Sequence, residues 1–115
     1  TNVRNEALLE NASEGIIITR SDNTVVLFNK AAEDLWGYDR SVVLDQNVGM
    51  LFSDAAIEQN DFLAGYTGPG DHKVTGTVKK VTILDASGKQ KTVIFLLSKA
   101  KIEQENVYLA CIRNS

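Results

Sequence analysis

Cysteine, histidine, proline, methionine and tryptophan each occur once in this 115-residue chain, and several of these scarcities remove a class of function. With Cys111 alone, an intramolecular disulfide and a cysteine-based zinc site are both excluded. Cys111 lies in the apolar run "VYLACI", where a free cysteine acts as a small hydrophobe rather than a reactive thiol. The single histidine, His72, and the scattered carboxylates supply no triad, no metal cluster and no acid/base pair that spacing can select. Glu33, Asp34, Glu58 and Asp61 read as helix-surface charges, and "TGPGDHK" lacks the phosphate-loop pattern. The expectation is a domain without catalysis. Basic residues are also few: twelve against fifteen acidic, net charge −3, with no cluster beyond Lys79–Lys80 and Lys99–Lys101. A nucleic-acid grip needs a concentrated basic footprint, so no nucleic-acid partner is expected. No apolar run approaches the roughly 18 residues of a membrane span and no signal peptide opens the chain. A soluble, cytoplasmic domain without membrane contact is expected. The length fits one domain over residues 1–115, excised from a longer multidomain protein.

What is present is a change of period along the chain. "NVRNEALLENA" places Val3, Ala7, Leu8 and Ala12 near one helical face behind a cap at Asn2. "GIIIT" and "VVLFN" are short apolar strands joined by the turn chemistry of "RSDNT". At Asn29 the pattern becomes helical: Ala31, Ala32, Leu35 and Trp36 precede a stop at Gly37. Asn29 is expected to bond backbone groups freed at that joint. "DRSVVLDQ" makes barely two turns from a cap at Asp39 or Ser41. "NVGMLFSDAAIEQNDFLAGY" holds a short turn through Leu51 and a longer helix capped by Ser53 or Asp54. After the loop "TGPGD" come three strand patterns, "HKVTGTVKKVTIL", "QKTVIFLLSKAKI" and "VYLACIRN". In the first, adjacent Lys79 and Lys80 suggest a bulge or a sheet edge. The order predicts an α+β fold: a five-stranded antiparallel sheet with short helices packed on one face, and an N-terminal helix. The last two strands are apolar in their middles, so the outer sheet face should also carry a partner surface.

The stretches "LLENASEGIIITRSDNTVVLFNKAAEDLWGYDRSVVLDQNVGMLF", "GTVKKVTILDASGKQKTVIFLLSKAKI" and "VYLACIRN" resemble a PAS domain, the small sensory module of bacterial signalling proteins. In pattern the chain is most similar to PAS domains of haem oxygen sensors, chemoreceptors and cyclic-di-GMP enzymes. The resemblance implies a cleft between sheet and helices for a small molecule or cofactor. It also implies a relay to an adjacent output domain and a homodimer through the N-terminal helix and outer sheet face. The expected cleft lining is Phe28, Asn29, Leu35, Trp36, Met50, Leu51, Ile57, Asn60, Phe62, Val81, Phe95 and Leu97.

The cofactor is left open by the sequence. In the haem sensors the iron is held by a histidine whose place here is taken by Asn60, and an amide is a poor iron ligand. No metal ligand is expected unless His72 reached haem from its loop. Photosensory relatives that form a flavin adduct carry cysteine near "NVGMLF", where this chain has none. No cofactor is the leading expectation. Two further readings stand beside the sensor: a ligand-free dimerisation spacer, and a haem gas sensor using His72.

Overall fold

Three successive isoleucines after Gly15 have the stiff, branched side chains that suit a pleated surface buried on both sides. In the computed structural model, which describes residues 14–67, 75–76 and 78–114, they form β1 (Gly15–Arg20). It pairs antiparallel with β2 (Val25–Phe28) through the turn at Ser21–Thr24, where Asn23 takes a positive φ of 72°. The later strands are β3 (Val78–Leu84), β4 (Gln90–Ile102) and β5 (Glu105–Asn114). All neighbours are antiparallel, in the order β2-β1-β5-β4-β3, so first and last strands of the sequence meet at the centre. This is the expected five-stranded α+β sheet. The expected N-terminal helix and His72 lie outside the described residues.

Between β2 and β3 the chain crosses the sheet as short helices. They are α1 (Lys30–Trp36), α2 (Arg40–Val43), a 3₁₀ turn (Val48–Leu51), α3 (Asp54–Gln59) and α4 (Asp61–Thr67). Each is short enough to depend on its caps. Asp39 accepts from the Ser41 N–H at 3.0 Å, Asn47 from Gly49 at 2.8 Å and Ser53 from Ala56 at 3.1 Å. The long helix expected after Ser53 is two, because Asn60 leaves helical geometry (ψ 108°) and its Oδ1 restarts the chain by accepting from Leu63 N–H.

The helices pack on one face. Ile17, Val93, Phe95, Leu97, Tyr108, Ala110 and Ile112 point into the main core with Val81 and Ile83. Alternate residues Ile16, Ile18 and Val107 form a smaller cluster on the opposite face with Val26, Leu27, Ala100 and Leu109. Helix α1 lies close on the sheet because Gly15 has no side chain. A Cβ there would stand 2.9 Å from Leu35 Cδ1 and 3.3 Å from Ala32 Cα.

The sheet edges are treated differently. Along β2, Val25 N–H donates to Gln46 O (2.9 Å) and Asp45 N–H to Val25 O (2.8 Å), so the 3₁₀ approach covers that edge. At the other end, β3 carries Lys79 and Lys80, and the expected edge is what the structure has. The described strand runs from Val78, and the stretch from His72 to Val74 expected to open it lies outside the described residues.

Candidate functional site

The junction of β2 and α1 sets the floor of the space between sheet and helices. Asn29 is buried there, and its side chain bonds backbone on three sides. Its Oδ1 accepts from Ile16 N–H (2.8 Å) and Ala32 N–H (3.0 Å), and its amide donates to Glu14 O (3.0 Å). One residue thus caps α1 and ties it to the start of β1. Eight residues on, Gly37 ends the helix with φ 79°, its N–H donating to Glu33 O. The Glu33 carboxylate takes Arg40 N–H (2.7 Å) and Arg40 Nη2 (3.2 Å), fixing the step into α2.

Trp36 is fully buried, and its indole N–H donates to Leu51 O at 2.9 Å. From it the rings run on: Phe28 at 5.9 Å, Phe52 at 6.1 Å, then Tyr66 and Phe95 at 6.0 and 6.3 Å from Phe52. Phe95, Tyr66 and Phe62 close the group with centroids 5.2 to 6.3 Å apart. Edge-on and tilted contacts dominate, as ring quadrupoles favour. All four phenylalanines of the chain and its only tryptophan are in this one assembly. Burial pushes the Tyr66 hydroxyl pKa well above its ordinary value, so the ring stays neutral.

The expected lining residues therefore divide. Phe28, Leu35, Trp36, Leu51, Phe62, Val81, Phe95 and Leu97 come together as the buried layer. Asn29 sits below it, bonded to backbone. Met50 is 39% exposed, while Ile57 and Asn60 lie partly buried at the rim. Asn60 helps line a crevice of about 170 Å³ with Ala56, Gln59, Leu63, Lys80, Val81 and Thr82, between α3–α4 and the edge strand. Two central rings, Phe52 and Tyr66, were missed by the sequence reading. Tyr66 stands one helical turn after Phe62, a spacing that marks a shared face.

The sequence profile of the PAS fold matches residues 4–105. The chain is a PAS domain. Over 108 residues it is 30% identical to the oxygen sensor protein DosP of Escherichia coli (strain K12). That match takes in 93% of this PAS domain but 14% of DosP's length, so most of the relative lies beyond the comparison. Among solved structures, the PAS domain of an HTR-like protein from Haloarcula marismortui superposes with a TM-score of 0.74 at 24% identity, covering 97% and 89% of the two chains. A PAS domain from a two-component sensor histidine kinase gives 0.76 at 16%, covering 97% and 94%. These likenesses show the fold, and the family makes this a sensory domain of signalling proteins.

Haem can be tested against the residues at the rim. Asn60 spends its carbonyl oxygen on the Leu63 N–H, and an amide is a poor iron ligand. The donor at that position does not fit a haem. Among the described residues no three of His, Cys, Asp and Glu gather as a metal site. None of the helices there is long and apolar enough to cross a membrane.

Proposed function

We propose that this PAS domain is a relay and dimerisation module whose cleft is filled by its own side chains. The six-ring assembly from Phe28 to Phe95 carries the proposal, since it occupies the volume in which a resident cofactor would lie. A signal then enters as a change in what the domain contacts. The contact surface is the outer face of the sheet, with half-buried Ile94, Leu96 and Leu109 and with Val78 59% exposed. Two copies meet there and through the N-terminal segment, and their arrangement biases an output domain in a longer, cytoplasmic parent. DosP, matched over 14% of its length, is consistent with such a parent. The domain itself performs no reaction in this account.

A second reading has its own observation. The crevice beside Asn60 and Gln59 opens beside Val81 of the buried layer, so a small polar molecule could enter by parting α4 from β3. Such a ligand signals only if it binds one helix–sheet arrangement better than the other.

The test combines sedimentation with a visible spectrum. Purified protein should form a concentration-dependent dimer, and Leu96→Asp should make it monomeric with unchanged far-UV circular dichroism. Added haem should give no intense band in the blue. A haem band lost in His72→Ala would replace this account with a gas sensor. A melting temperature raised by a small metabolite would favour the crevice.

A further inference from the structure

The tip of the β3–β4 hairpin is fastened to the end of α1. Ala86 N–H donates to Trp36 O at 2.7 Å, and Lys91 Nζ donates to Leu35 O at 2.8 Å. Lys91 Nζ also stands 3.6 Å from Asp85 Oδ2. The other oxygen of Asp85 accepts from Ser87 N–H and Lys89 N–H, both at 2.9 Å, and from Ser87 Oγ at 2.6 Å. The turn is therefore stiffened from inside while it holds the helix. Gly37 serves the junction through its φ of 79°, a left-handed turn that a residue with a side chain would adopt only under strain.

Trp36 is consequently held from both sides, at its indole N–H and at its backbone carbonyl. Its indole N–H reaches Leu51 O in the 3₁₀ turn, and its carbonyl takes the hairpin N–H. The carbonyls of Leu35 and Trp36 are among those a helix end leaves without intrahelical partners, so their bonds to the hairpin replace water.

We propose that the β3–β4 turn and the C-terminal end of α1 form one clamp centred on Trp36, so that a shift of the buried ring layer is delivered to the hairpin tip at the sheet edge. This is a route out of the core separate from the outer sheet face, and it operates whether or not the crevice takes a ligand. Lys91 is a positioning residue in it, acting on Trp36 through the backbone of Leu35. The displacement needs no large rearrangement, because a packed layer passes strain to rigid neighbours.

Coupling between two sites is reciprocal, so the clamp can be read from either end. Trp36→Phe keeps a ring but removes the indole donor. Native-state hydrogen exchange should then show the Ala86 amide exchanging about tenfold faster relative to the Ala110 amide in the central strand. Lys91→Met keeps the aliphatic stem but removes the donor. It should shift the fluorescence of the sole tryptophan to the red in fully folded protein, and Lys91→Arg should restore it. Ala86 and Ala110 changing together in Trp36→Phe would overturn the clamp. An unmoved Trp36 emission in folded Lys91→Met would do the same, and stands as the deciding result if Trp36→Phe does not fold.

Discussion

At the scale of single residues, the structure depends most on polar groups that meet backbone. Asn29 is the clearest, with three bonds from one buried amide. Asn29→Ala removes a cap and leaves Ile16 N–H on β1 and Glu14 O just before it without their partner, which should cost about 2–3 kcal/mol in urea unfolding. A loss within experimental error of zero would mean that water replaces the side chain freely. Thr19 is the opposite case. Its hydroxyl is buried and finds no hydrogen-bond partner among the described residues, so Thr19→Val should raise stability by about 1 kcal/mol. A destabilised variant would reveal a partner for that oxygen. Gln104, at φ 68° in the β4–β5 turn, holds a conformation natural to glycine. Gln104→Gly should raise the melting temperature, with a gain of about 0.5–1 kcal/mol.

At the scale of elements, the sequence carried the strands further than the helices. Period-two patterns with turn signals between them are local, and the hairpin of β1 and β2 and the β4–β5 pair follow from them directly. Asn60 was harder. The sequence shows one apolar pattern from Ser53 to Tyr66, and only tertiary packing decides that an amide in its middle caps a second helix. Of the long strand pattern that opens at His72, the described part pairs with β4 from Val78 to Leu84. Most of the buried layer was legible as apolar residues at helix and strand spacing. That it would close on itself was not, because ring-to-ring packing depends on Phe52, which no local period singles out, as well as on Tyr66.

The β3–β4 turn also has a pH dependence of its own. The Ser87 hydroxyl, then the Lys89 and Ser87 N–H groups, hold the Asp85 carboxyl down to about 2. The folded value lies below the ordinary carboxylate value, so the unfolded chain takes up the proton first. Its stabilising contribution is thus complete above about pH 4 and is lost as pH falls toward 2. Urea midpoints across this range should fall less steeply in Asp85→Asn than in the parent sequence. Parallel curves would assign the acid sensitivity to other carboxylates.

At the scale of the whole molecule, one sheet separates two jobs. Its inner face is filled by aromatic rings, and its outer face keeps apolar side chains partly open. Phe95, on β4, belongs to the inner layer and touches Phe52, Phe62 and Tyr66. Phe95→Ala should cost about 3–5 kcal/mol, a large share of the roughly 5–15 kcal/mol that holds a domain of this kind. A small loss would mean that the rings do not form a packed layer in solution. The most direct measurement of a filled cleft is the native mass spectrum of protein purified from cells. Two bare polypeptides in one complex, with no added mass, are what this account predicts. A stoichiometric adduct of small-molecule mass, released when the chain unfolds, would contradict it.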